Sequence, residues 1–236
     1  MIPRPKPGTR RGFLVRLGAV IGGTSVGAGM LVPNSVGAQP SLPSPPSGPL
    51  VHPADAWLDG LPRGHRMVFD AFTLPGAVHA GRFCGNWMSS NASGYGLTPG
   101  QLGAVIVLRS AATIFAFDDT IWAKYPVFGQ QTKPDPATGK PYSVNPFLRD
   151  PSQGDATSQG VEWRSLVAQG VHFAVCNGTT TGLAAAIAGP SATDSAIETV
   201  RKELAAHLVA NGHLMATGIV ALGRAQEKGF TFGCGG

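Results

Sequence analysis

The stretch HFAVCNGTTTGL, His172–Leu183, starts with apolar, β-favouring residues and ends that run on a cysteine. It then passes through Asn-Gly and three threonines into alanine-rich sequence. Residues 171–176 read as a strand and "TGLAAAIAG", 181–189, as a helix. Cys176 is thus expected at the carboxyl end of a strand, the edge where an α/β sheet places its ligands and chemistry.

The alternation repeats on both sides of this stretch. "RMVFDAF" (66–72) reads as a strand, and "AVHAGRFCGNWMSSNASGYG" (77–96) as a helix running into a Gly-rich turn. "LGAVIVLRS" (102–110) is a continuous apolar run of the kind buried in a parallel sheet. "ATIFAFDDTIWAKY" (112–125) reads as one helix with Phe115, Ile121, Trp122 and Tyr125 on its apolar side. Beyond Cys176, 192–209 reads as a helix started by Thr193 or Asp194, with Ile197, Val200, Leu204 and Leu208 on one face. A short helix is expected at 160–170, strands at 213–218 and 230–232, and a helix between them at 219–229. Strands separated by helices imply βαβ units, hence an α/β fold: a flavodoxin-like parallel sheet with helices on both faces. The Pro-rich, aperiodic segment 126–158 is expected to be a surface insertion or lid.

The chain has 236 residues, 43% of them hydrophobic and 13% charged, enough for one domain with a sizeable core. Its net charge is +5, but the basic excess is local. Residues 1–38 hold Arg4, Lys6, Arg10, Arg11 and Arg16 and no acid, so the rest of the chain is close to neutral. That distribution gives no electrostatic footprint for nucleic acid. "TRRGFLVRLGAVIGGTSVGAGMLV" joins a paired arginine to a moderately apolar, Gly-rich run, and small residues precede Gln39. It resembles a twin-arginine signal cleaved after Ala38, with the export machinery engaged through Arg10 and Arg11. The run is broken by Arg16 and rich in Gly, which argues against a permanent membrane span. The expected location is periplasmic or otherwise exported. Residues 39–62 read as a Pro-rich linker and 63–236 as the α/β domain.

Three cysteines, an odd count, do not make a disulfide framework. Cys84, beside Phe83 and Trp87, reads as packing. Cys234 lies near the chain end among glycines and is a candidate resolving thiol for Cys176. Cys176 itself, before a helix, has the setting that favours a thiolate. Around it the candidate binding residues are Asn177 and Thr179, with Asp70, His79 and Arg109 at the same expected sheet edge. The six histidines are scattered, so no metal site is expected. Phosphate-loop and dinucleotide fingerprints are missing, so no cofactor is expected either.

"LVAQGVHFAVCNGTTTGLA" followed by "HLMATGIVALGRAQEKGFTF" resembles the DsrE/DsrF-like family. The shared pattern is a short helix, a Gly-Val turn, a strand ending in Cys, a helix, then Gly218 and a helix closing on Gln226, Gly229 and Phe230. The resemblance spans about residues 65–233 and is closest to the exported, twin-arginine-bearing branch. It implies a flavodoxin-like sheet, assembly into homo-oligomers (trimers or hexamers), and sulfur carried as a persulfide on Cys176. Two features depart from the sulfur-relay members: the insertion at 126–158 and the export signal.

Two functions follow as expectations. In the first, Cys176 takes sulfane sulfur from a donor and passes it to an acceptor thiol. In the second, the protein is a non-enzymatic oligomer that binds a small ligand or serves assembly, and Cys176 is structural.

Overall fold

The computed structural model describes residues 52–150, 152 and 155–236. The signal sequence, the first part of the linker and three residues of the insertion lie outside the described residues.

Five strands form one sheet: β1 His65–Ala71, β2 Leu102–Leu108, β3 His172–Cys176, β4 Gly212–Met215 and β5 Thr231–Cys234. All pairings are parallel and the order is β4-β3-β2-β1-β5. The α/β architecture with a flavodoxin-like all-parallel sheet therefore holds. The winding runs steadily from β1 to β4 and then returns to place β5 beside β1. The helices are α1 Ala56–Gly60, α2 Leu74–Tyr95, α3 Asp119–Lys124, α4 Val127–Gln130, α5 Trp163–Ala168, α6 Asn177–Ala188, α7 Asp194–Ala206 and α8 Gly218–Glu227. None in the described residues is long and apolar enough to cross a membrane.

Side chains alternate between the two faces, as the pleat requires. Phe69, Ile106, Leu108, Phe173 and Val175 join a large core with α2 and its neighbours. Val68, Val105, Val107, Ala174 and Met215 join a smaller one covered by α1 and α8. β2 is buried along its whole length, which explains its uninterrupted apolar sequence.

Three expectations change. Residues 112–125 are not one helix. A 3-10 helix spans Ser110–Ala116, Phe117 is extended and bridges to Leu208, and α3 starts afresh at Asp119. The break comes from Asp118, whose carboxylate caps α3 by accepting the N–H groups of Thr120 and Ile121. The insertion 126–158 lies largely at the surface but is pinned into the core by a few buried residues. Phe128, Tyr142, Asn145 and Phe147 are buried, and Phe147 packs between Phe115 and Trp163 at ring separations of 4.5 and 4.3 Å. Burying each such aromatic is worth about 1.5–3 kcal/mol. Asn145 stitches it in place, its amide donating to the carbonyls of Phe115 and Phe117.

The third change concerns the end of the expected linker, which is structured. Pro53–Asp55 form a 3-10 turn leading into α1, and Leu58 and Leu61 enter the smaller core. Asp55 and Asp59 pair with Arg224 and Lys228 of α8 and the residue after it, at 3.4 and 2.6 Å. Arg66 donates to the carbonyls of Leu61, Pro62 and Lys228. Pro content signalled an extended segment, but proline in a first helical turn costs nothing, because its missing N–H would be unpaired there anyway.

Candidate functional site

Cys176 ends β3 and is itself the N-cap of α6, its sulfur accepting the Thr179 N–H. The helix therefore begins at Asn177, four residues earlier than the alanine-rich composition indicates. The turn needs no connecting loop: the sulfur closes the first orphan donors of the helix in the way a serine or aspartate oxygen usually does.

Thr179 brings two donors to that sulfur. The Thr179 N–H lies at 3.4 Å and its hydroxyl at 3.3 Å. The N–H groups of Gly178 and of Gly218, the first residue of α8, lie on the same side and further favour its anion. Two helix N-termini, of α6 and α8, thus face one atom, and each favours negative charge. Cys176 is 7% exposed. Burial pushes its thiol up, but the hydrogen bonds from Thr179, Gly218 and Gly178 outweigh it, and the net displacement is below the ordinary cysteine value. Cys84 shows the contrast. It is buried in α2 with nothing to offset desolvation, and its thiol is pushed up to about 12.

Register places the other residues. Asp70 stands beside Cys234 on β5 and Val107 on β2, and Arg109 follows β2 at the same edge. The Arg109 guanidinium grips Asp70 with two parallel bonds, Nε to Oδ1 at 2.8 Å and Nη2 to Oδ2 at 2.7 Å. It also lies over the Phe72 ring at 4.8 Å. Asp70 keeps the guanidinium firmly protonated, and the two thiol sites, Cys176 and Cys234, act on it in the same direction. Arg109 is therefore the cation between the two cysteines. Its neighbour Ser110 turns the chain away from the sheet with φ 51°, a left-handed conformation unusual for serine.

No protein-family model matches this chain, and neither a curated protein nor a solved structure matches it significantly. The site is read on its own geometry.

Of the residues expected at the site, Asp70, Arg109, Cys176 and Thr179 are brought together along one sheet edge and one face. Asn177 is adjacent but points elsewhere: its side-chain oxygen accepts from Arg201 of α7 at 3.1 Å. His79 rides on α2, which covers the opposite face, and its ring meets the Gly235 carbonyl at 2.9 Å. It does not serve the thiol. Cys234 does not serve as a resolving thiol within the subunit. Three strand spacings separate β5 from β3, at least about 14 Å, against the roughly 7 Å limit between the Cα atoms of a disulfide. All three cysteines are free thiols.

Sequence reasoning placed backbone N–H donors after Cys176 but did not connect Gly218, known only as a position of the family pattern, with the thiol. It contributes a backbone N–H, which leaves no mark in side-chain chemistry. Gly218 carries one further signal: a Cβ there would collide with Arg109. No group of three or more metal-ligating side chains occurs among the described residues.

Beside the thiol, between α8 and the β1–β5 side of the sheet, lies a cleft of about 500 Å³. Asp70 and Arg109 form its polar end, and Ile219, Leu222 and Phe232 contribute its apolar walls.

Proposed function

We propose that this protein carries sulfane sulfur as a persulfide on Cys176. The observation that carries the reading is the placement of Cys176 at the end of β3 as the N-cap of α6, its sulfur accepting both the N–H and the hydroxyl of Thr179. A thiolate is the attacking form of cysteine, and this cradle favours the anion over the thiol. The Cys176 thiolate attacks the outer sulfur of a donor. A new S–S bond forms, the donor's bond to that sulfur breaks, and the leaving group departs with the electron pair. An acceptor thiolate then attacks the terminal sulfur of the Cys176 persulfide and releases Cys176 as thiolate. Sulfur moves at one oxidation level throughout, so the cycle needs no external oxidant.

The resemblance to the DsrE/DsrF-like family supports the same assignment, since the Cys-terminated strand and Gly218 belong to both. With it comes assembly into trimers or hexamers. Export through the Arg10-Arg11 pair and work in the periplasm complete the proposal.

The test is intact mass after incubation with thiosulfate or polysulfide, wild type against Cys176→Ala. The expected result is a gain of one sulfur atom in the wild type and none in the variant. No adduct, together with a Cys176 that resists alkylation until the protein unfolds, overturns the reading. It would leave a ligand-binding or assembly role in which Cys176 is structural.

A further inference from the structure

The thiol cradle has no room of its own for a donor, since Cys176 is nearly buried and does not line the neighbouring cleft. Arg109 connects the two. It lines the cleft, its side chain packs against Gly218, and the register that pairs Leu108 with Val175 sets it beside Cys176 at the ends of β2 and β3. Asp70 occupies Nε and Nη2 of the guanidinium, whereas Nη1 has no hydrogen-bond partner among the described residues. The Arg109 side chain is 26% exposed, so this free edge is open to a ligand. Asp70 fixes the fork, and a planar fork with a free N–H edge is suited to an oxyanion. Behind it the cleft turns apolar: Ile219 is 65% and Phe232 46% exposed, unusually high for large apolar side chains, with Leu222 between α8 and the sheet. A volume of about 500 Å³ suits a small organic molecule and far exceeds an inorganic anion.

Resting on the carrier reading, we infer that the cleft is the donor site, and that the donor class is an organic thiosulfonate: an anionic sulfur–oxygen head on Arg109 Nη1 and an apolar body along Ile219, Leu222 and Phe232. The Cys176 thiolate attacks the donor's terminal sulfur, the bond from that sulfur to the sulfonyl sulfur breaks, and a sulfinate leaves with the electron pair. Cys176 is left as the persulfide anion, so two negative charges enter and two remain. Arg109 holds the oxygens on which the leaving group's charge settles. Asp70 is a positioning residue that acts through Arg109.

The experiment uses benzenethiosulfonate as donor and benzenesulfonate as its unreactive counterpart, with Cys234→Ser as the background so that the exposed thiol of Cys234 does not compete with Cys176. Sulfur loading is followed by mass. For each variant its rate is divided by the rate of iodoacetamide alkylation at the same pH, which cancels any change in thiolate content. In Arg109→Gln the ratio is expected to fall by at least about tenfold, the loss of one charge-assisted hydrogen bond. Arg109→Lys keeps a cation for Asp70, guards against misfolding, and should fall less. Phe232→Ala should lower the ratio for benzenethiosulfonate and leave that for thiosulfate unchanged. An Arg109→Gln ratio equal to the parent's overturns the assignment. The two readings fail separately. Protein that binds benzenesulfonate by calorimetry yet takes sulfur from no donor overturns the carrier and keeps the cleft. Protein that takes sulfur from polysulfide but does not bind benzenesulfonate overturns the cleft and keeps the carrier.

Discussion

A Cβ placed on Gly218 would collide with the side chain of Arg109, its Cδ lying only 2.8 Å away. The close approach serves both partners. It sets the start of α8 where the Gly218 N–H favours the Cys176 anion, and holds Arg109 where its guanidinium reaches Asp70. Gly218→Ala must push α8 off the sheet or turn Arg109 out of its fork. The expected outcome is a stability loss of about 1–3 kcal/mol and a higher apparent pKa of Cys176. Denaturant unfolding reads the first, and the pH dependence of iodoacetamide alkylation the second. Unchanged alkylation in a destabilised variant would mean that the glycine serves packing alone.

The Thr179 hydroxyl can be removed without disturbing its backbone. Thr179→Val keeps the shape and the N–H bond to Cys176 but deletes the O–H donor at 3.3 Å. Loss of one hydrogen bond to an anion should raise the Cys176 pKa by about one unit. Sign matters for stability as well. The folded pKa of Cys176 is depressed, so the cradle stabilises the fold most above the thiol's unfolded value, and that gain fades as pH falls through the folded value. The stability difference between wild type and Thr179→Val is therefore expected to widen from neutral toward alkaline pH. Parallel stability curves would argue against a thiolate.

Asp70 and Arg109 give the opposite sign. Asp70→Asn removes a buried negative charge and leaves Arg109 as an unbalanced cation between the cysteines. The ion pair is only partly buried, so breaking it should cost about 2 kcal/mol, less than the several expected for a fully buried pair. The freed guanidinium should lower the Cys176 pKa and speed its alkylation near neutral pH. A slower reaction would mean that Arg109 swings away from the thiol once released.

Much of the fold is legible where one signal dominates. β2 is sandwiched between two apolar layers, so its sequence is an unbroken apolar run, and α7 shows a single stripe ending in Leu204 with Thr193 as its cap. Legibility fails where tertiary contacts choose between local options. The aromatic run 112–125 fits a helix by composition, but Asp118 can cap a new one and Phe117 finds a strand-like partner in Leu208. Likewise Phe128, Tyr142 and Phe147 are spaced by prolines without a period, and only the surrounding Phe115 and Trp163 reveal them as core. At the site, the cysteine and its threonine were readable because side chains carry their chemistry. The approach of Gly218 to the thiol was not, because a backbone N–H leaves no mark in sequence and the approach comes from how α8 packs on Arg109.

Asn145 makes the insertion testable. It is fully buried and its amide satisfies two carbonyls that have no access to water, while its own oxygen caps the following turn at Phe147. Asn145→Ala leaves those groups unpaired and should cost about 2–4 kcal/mol. Limited proteolysis should then cut first within 126–158 while the sheet stays intact. A variant as resistant as the wild type would place the anchor elsewhere.

The amino end of the sheet carries a second titrating feature, far from the thiol. Trp57 of α1 stacks on His213 at 4.0 Å and on His172 at 5.8 Å, and the two imidazoles share a hydrogen bond of 2.8 Å. Burial and the neighbouring His172 press the His213 pKa down to about 4, and burial also lowers His172. The folded state thus refuses a proton that the unfolded chain accepts near 6.5. Stability is full above that value, declines as pH falls from about 6.5 to about 4, and declines no further from this group below it. The loss should be at most about 3 kcal/mol for His213, reduced by solvent screening because the ring is only half buried. His213→Asn should flatten the curve across this window while leaving its shape at alkaline pH, where Cys176 acts, unchanged. Urea unfolding at a series of pH values measures both. An equally steep acid limb in the variant would assign it to His172, whose pKa burial also holds down.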